Sequence, residues 1–149
     1  MISKINHTDK IIAKQIQFVF QNSYAVEAKI LKAVDFPPLQ RKLDQYTFTD
    51  TSFYAYLNKD EFAGIVEIKK QDTYIHIQSL VVMPKYFRQG IAQQLLDYIY
   101  NKIPSKKYVV ETGIGNIPAV NLYLKNGFVE VDQWDTDFGI RKVRYEKKG

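Results

Sequence analysis

The apolar pattern of this chain changes period at Pro84, and that change limits the fold more than any other feature. Before it, Thr73 to Val82 is a long β-prone run whose later half is apolar on both faces, as in a strand at the centre of a sheet. After it, Ile91, Leu95, Leu96 and Ile99 fall on one stripe of period 3.6 and predict a helix ending near Asn101. A buried strand that gives way to an amphipathic helix indicates an α/β fold.

The remaining segments fit that reading. Met1 to Asn6 alternates like an edge strand, and His7-Thr8-Asp9 is a helix entry. Ile12, Ile16, Val19, Phe20 and Ala25 then recur at helical spacing, predicting one or two helices between about Lys10 and Leu31. Paired prolines in Val34-Asp35-Phe36-Pro37-Pro38-Leu39 predict a loop, since they remove two backbone donors. Phe53 to Leu57 and Phe62 to Lys69 read as a hairpin around Asn58-Lys59-Asp60-Glu61. Lys107 to Thr112 is a further strand, Pro118 opens a helix that Gly127 closes, and two antiparallel strands, Phe128 to Trp134 and Ile140 to Glu146, complete the chain. No repeat or linker interrupts it, so one domain over residues 1–149 is expected.

Composition narrows the chemistry. Hydrophobic residues at 46% and charged residues at 25% are ordinary globular values, which argues against a disordered or fibrous chain. No apolar run approaches the roughly 20 residues that span a bilayer, and the first residues lack a signal-peptide core, so the cytoplasm is the expected address, with no membrane partner. Cysteine is absent, which excludes disulfides, thiolate metal sites and a cysteine nucleophile; no metal is expected. The net charge of +5 suits an anionic ligand. Its main cluster, Arg141-Lys142-Val143-Arg144 with Lys147 and Lys148, reads as the solvated face of a strand, so no nucleic-acid partner is expected. His7 reads as a terminal surface residue.

Two segments carry the site. Phe87-Arg88-Gln89-Gly90-Ile91-Ala92 is a strand-to-helix loop whose free backbone N–H groups and helix dipole suit phosphate oxygens. Gly90 and the small Ala92 let a ligand approach the backbone, and Arg88 can add a charge-assisted contact. Neither a Walker loop nor the dinucleotide glycine spacing is present. The second segment, Glu111 to Phe128, packs a strand end, a glycine-rich turn, a proline-started helix and a glycine stop into one short stretch.

Together these segments resemble the cofactor-binding motifs of the GNAT superfamily of acyl-CoA N-acyltransferases. The first is similar to its Arg/Gln-x-x-Gly-x-Gly/Ala loop. The second is similar to its Asn-x-x-Ala-x-x-x-Tyr-x-x-x-Gly-Phe helix, matched by Asn116, Ala119, Tyr123, Gly127 and Phe128. The resemblance spans about Ile65 to Phe128, and Phe87 stands where the family carries Arg or Gln. It implies a central mixed, mostly antiparallel sheet, splayed where the strands ending near Val82 and Thr112 part to admit acetyl-CoA. It further implies that Arg88, Gln89, Gly90, Ile91, Ala92 and Gln93 form the pyrophosphate cradle. The backbone of Leu80, Val81 and Val82, with Asn116 and Ala119, would meet the pantetheine arm.

The activity implied is direct acetyl transfer to the primary amine of a small molecule or peptide, in a monomer or homodimer; the alternative is a CoA-binding module without turnover. A backbone N–H near Val82 would meet the oxyanion. Tyr123 falls on the family's tyrosine position and would protonate the leaving thiolate. Two residues are candidates for the base. Glu111 reads either as the glutamate some members carry there or as a strand carboxylate paired with a lysine. His76, whose ordinary pKa of about 6.5 suits the task, reads either as a base acting directly or, with Gln78, through a water, or as a hydrogen-bonded strand histidine. In this architecture the acceptor pocket would be built at Tyr24, Glu27 and Phe36, with Glu27 attracting a cationic amine and the aromatics walling it; the alternative is that these residues only pack an amphipathic helix against the loop.

Overall fold

The computed structural model describes every residue from Met1 to Gly149. The chain runs β1 (Ile2–Ile5), α1 (Lys10–Leu31), α2 (Asp44–Thr47), β2 (Ser52–Asn58), β3 (Glu61–Lys70), β4 (Ile75–Val82), α3 (Ile91–Lys102), β5 (Lys107–Gly113), α4 (Ile117–Lys125), β6 (Val129–Asp135) and β7 (Arg141–Lys148). Short 3-10 turns occupy Pro37–Gln40 and Pro84–Tyr86. All seven strands form one sheet in the order β1-β2-β3-β4-β5-β7-β6, antiparallel except between β4 and β5.

Helices cover both faces. The Asp9 carboxylate caps α1 by accepting from the Ile11 N–H at 2.8 Å and the Ile12 N–H at 3.4 Å. The helix then runs unbroken for 22 residues. Its Ala13, Ile16, Val19 and Phe20 pack on Phe53, Ala55, Ile65 and Val81. On the opposite face, α3 buries Ile91, Leu95, Leu96 and Ile99 against Val66, Ile68, Ile77 and Val110. The α3 stripe read from the sequence is the one buried, as are Ile16, Val19 and Phe20 of the α1 stripe, whereas Ala25 is exposed, Ile12 is only partly buried and Ala13 takes a core place instead. The four-residue α2 is too short to show a period and carries no sequence expectation. One local expectation changes. His7 is half-buried rather than free at the surface, because its Nε2 lies 3.0 Å from the Thr49 carbonyl and its ring leans on Phe53 at 5.1 Å.

The sheet forks at the centre of β4. Ile68 pairs with Ile77 and Glu67 with Ser79, so Gln78 is an extra residue, a β-bulge. The bulge swaps the two faces of the strand. Ile75 and Ile77 join the α3 side, whereas beyond Gln78 it is Val81 that joins the α1 side and Leu80 and Val82 that meet the α3 side. Parallel pairing with β5 ends there too, running only from Ile75–Tyr108 to Ile77–Val110. Past that point β4 and β5 continue apart.

Close packing holds the fork's rim. Gly64 of β3 lies opposite Val82, and a Cβ there would stand 2.8 Å from Ile91 Cγ2 and 3.1 Å from the Val81 carbonyl oxygen. Only glycine lets the first turn of α3 lie so near the strands. Gly64→Ala is expected to cost about 1–3 kcal/mol through overpacking, read as a lower urea midpoint with an unchanged slope.

A buried ion pair braces the opposite rim. Glu67 is 1% exposed, and Arg41 grips its two oxygens at 2.8 and 2.9 Å. Thr51 and Ser79 donate their hydroxyls to the same carboxylate at 2.6 and 2.9 Å. The Arg41 guanidinium also lies 4.2 Å from the centre of the Tyr46 ring, whose phenol burial pushes up to about 12.

Candidate active site

The fork opens into a cleft of about 1510 Å³, roomier than the roughly 300–1,000 Å³ of common small-molecule pockets. One end is formed by the loop before α3. Here Arg88 (φ 62°) and Gly90 (φ 77°) are both left-handed, which turns successive backbone N–H groups to one side. Phe87 N–H bonds the Pro84 carbonyl, but the N–H groups from Arg88 to Gln93 meet no acceptor in the protein. The other long helices differ: α1 is capped by Asp9 and α4 by Asn116, whereas Gly90 gives α3 no cap. A Cβ on Gly90 would meet nothing within 4 Å, so the approach is open. This end suits an anion with several oxygens, and its residues fit a pyrophosphate.

Side chains refine the cradle. Arg88 is exposed on the cleft and makes no hydrogen bond, so the charge absent at Phe87 is available one residue later. Gln89 points away, its Nε2 3.5 Å from the Lys85 carbonyl. Gln93 exchanges hydrogen bonds with Asn126 at 2.9 and 2.8 Å, tying α3 to the end of α4 and leaving only its backbone for a ligand.

The middle of the cleft is the bare edge of β4. Met83 N–H bonds the Ala63 carbonyl at 2.8 Å, so with period-two alternation Val81 addresses β3 while Leu80 and Val82 present their backbone groups to the gap. Val81 is 2% exposed and outside the cleft lining. Across the gap, Ala119 and Tyr123 of α4 line the wall. Asn116 accepts from the Ala119 N–H at 3.4 Å and donates from Nδ2 to Glu27 Oε1 at 2.7 Å. Tyr123 is held edge-on by Phe128 at 5.5 Å, and no protein group bonds its hydroxyl. Burial, with Tyr24 and Glu27 nearby, raises its pKa far above the phenol range, so the group keeps its proton.

At the far end stand the residues of the expected acceptor pocket. Tyr24 and Glu27 are one turn apart on α1, and Phe36 links Tyr24 at 6.0 Å to Phe138 of the β6–β7 loop at 6.1 Å. Phe138 and the Arg41–Glu67 brace carry no sequence signal: their partners lie in remote segments. Burial raises the Glu27 pKa against the smaller opposing effects of Asn116, Lys142 and Thr112. Glu111 lines the cleft with its carboxylate shared by Lys142 at 3.6 Å and Arg144 at 3.5 Å. The strand carboxylate paired with a lysine is thus the arrangement present. His76 is not among the lining residues; it sits in the last paired stretch of β4, opposite Val109, and burial lowers its pKa. The structure therefore gathers Tyr123, Asn116, Glu27, Tyr24 and Glu111 on one cleft and leaves His76 behind the fork.

Comparison with known proteins agrees with this geometry. The family model described as an acetyltransferase (GNAT) domain matches residues 24–149. The chain belongs to the GNAT family. A curated relative, the UPF0157 protein YqkA of Bacillus subtilis, is 31% identical over 133 residues. That match takes in 89% of this chain and 39% of the relative, so the chain spans about two fifths of that protein's length. Among solved structures, smu.2055 from Streptococcus mutans superposes with a TM-score of 0.80 at 16% identity, covering 99% of this chain and 98% of the other. The PaiA N-acetyltransferase of Thermoplasma acidophilum, solved in complex with coenzyme A, gives 0.76 at 17% identity, covering 100% and 99%. These likenesses place the mixed, mostly antiparallel sheet within the GNAT fold. No helix of this GNAT chain is long and apolar enough to cross a membrane.

Proposed function

We propose that this GNAT protein transfers an acetyl group from acetyl-CoA to a primary amine of a small molecule or peptide. The observation that carries the reading is the run of unsatisfied N–H groups from Arg88 to Gln93, set at one end of a cleft whose middle is an unpaired strand edge. An anion cradle and a free edge in line match the two polar parts of coenzyme A, its pyrophosphate and its amide-bearing arm.

On this reading the α3 N–H groups hold the pyrophosphate, with Arg88 supplementing them. Leu80 and Val82 hydrogen-bond the arm as a further strand would. Ala119 and the Asn116 carboxamide flank it. Bound there, the donor supplies an acyl group activated as a thioester. The Val82 N–H steadies the oxygen as it gains charge, and Tyr123 gives its proton to the departing sulfur. Tyr24, Glu27 and Phe36 receive the acceptor. Of the two sequence candidates for the base, Glu111 is on the cleft, where it would exchange Lys142 and Arg144 for the acceptor. His76 would need a water to reach the cleft.

Thiol release from acetyl-CoA, with a panel of amines and peptides and the product mass measured, tests the proposal. Amine-dependent release with a mass gain of one acetyl group is the expected result. Calorimetric binding of CoA without amine-dependent release at any pH would instead indicate a CoA-binding module.

A further inference from the structure

The two acidic side chains lining the cleft are held in opposite ways. Glu111 is neutralised by Lys142 and Arg144, and Arg144 is itself engaged by Glu146 at 3.5 Å. Glu27 forms no ion pair. Its hydrogen-bond partner is the neutral Asn116 amide at 2.7 Å. Asn116 is fixed in turn, because its Oδ1 caps α4. Glu27 is therefore a carboxylate oriented by a rigid neutral donor, with lone pairs still free on the cleft. Tyr24 on its own helix, Thr112 at the end of β5, Tyr123 on α4 and Lys142 on β7 are the groups that face it. Lys142 is the one cation among them, it lies beyond ion-pair distance, and it is engaged by Glu111.

We propose that Glu27 is the catalytic base that takes the proton from the acceptor amine. This rests on the acetyl-transfer reading above and goes further, naming the acceptor as an amine that arrives as an ammonium ion. A cation is needed to complete the charge balance at Glu27, and burial narrows the gap in proton affinity between an ammonium and a carboxylate. Burial favours the protonated carboxyl as it disfavours the charged amine. One ammonium proton passes to Glu27, and the freed lone pair forms the carbon–nitrogen bond as the carbon–sulfur bond breaks. Tyr123 donates its proton to the sulfur and regains one from the new amide nitrogen, while Glu27 returns its proton to solvent. The net change is ammonium and thioester to amide, thiol and one proton.

The test compares Glu27→Gln with wild type on two kinds of acceptor. Benzylamine, tyramine and cadaverine are ammonium ions at neutral pH, whereas methoxyamine is already neutral. Gln keeps an oxygen for the Asn116 donor, so CoA affinity by calorimetry should stay within about twofold, which shows that the site is folded. For the ammonium-type amines kcat/KM should fall about 10²–10⁴-fold, with the enzymic acidic limb of the pH profile lost and replaced by one set by the amine's own ionisation. For methoxyamine the fall should be under about tenfold, because no ammonium proton need be removed. Equal losses on both kinds of acceptor, or an unchanged acidic limb, would overturn the assignment while leaving acetyl transfer standing. Loss of that limb in Glu111→Gln but not Glu27→Gln would hand the role to Glu111. A wild-type protein that releases no thiol with any of these amines or with the peptides of the panel overturns both readings together.

Discussion

Replacing Tyr123 with Phe should lower kcat by about 10²–10⁴-fold while the affinity for coenzyme A changes little. The ring fills its place against Phe128 and Tyr145 by packing alone, and the hydroxyl makes no bond to the protein. Removing one oxygen therefore leaves the fold intact and takes away only the proposed proton donor. The environment explains why a phenol suits this task. Burial together with Tyr24 and Glu27 holds the group neutral over the whole working range, so the proton is present whenever sulfur needs it. Stopped-flow measurement of thiol release separates the outcomes. A normal rate would remove Tyr123 from the acid role, and a raised CoA dissociation constant with normal kcat would make it a binding residue.

The second large effect is on stability. Glu67→Ala should cost about 3–5 kcal/mol, the usual consequence of removing one partner from a buried pair. Glu67 is fully buried, so its loss strands the Arg41 guanidinium over Tyr46 with one backbone acceptor, the Gln45 carbonyl at 3.1 Å. It also leaves the Thr51 and Ser79 hydroxyls without their acceptor. The double replacement Arg41→Met with Glu67→Leu should recover much of the loss, since an apolar pair of similar volume carries no desolvation cost. Urea melts of the single and double variants measure this directly. A Glu67→Ala cost below about 1 kcal/mol would mean that the pair behaves like a surface bridge.

These two sites also show what a sequence can and cannot reveal. Tyr123 was legible because its spacing from Asn116, Gly127 and Phe128 is local, all within one helix and its stop. The uncapped loop before α3 was legible for the same reason: a period change, a glycine and a helix start are features of neighbouring residues. The stripe Ile91, Leu95, Leu96, Ile99 and the central position of β4 followed from periodicity alone. Arg41 and Glu67 lie 26 residues apart, and neither stands in a pattern that calls for the other. Glu27 and Asn116 are separated by 89 residues, so their hydrogen bond exists only once α1 crosses the open end of the fork. The bulge at Gln78 escaped notice because one inserted residue alters which face Leu80, Val81 and Val82 take without altering their apolar character. It decides that Val81 turns to β3 and that Leu80 and Val82 face the cleft.

On the proposed function, the uncapped start of α3 and the free edge of β4 together form a site for coenzyme A. Backbone amide NMR during titration with acetyl-CoA tests both parts at once. Saturable shifts are predicted for the N–H groups from Arg88 to Gln93 and for Leu80 and Val82, with the Val81 N–H, already committed to β3, moving far less. Saturation with those amides unmoved, or shifts confined to another face of the protein, would contradict it.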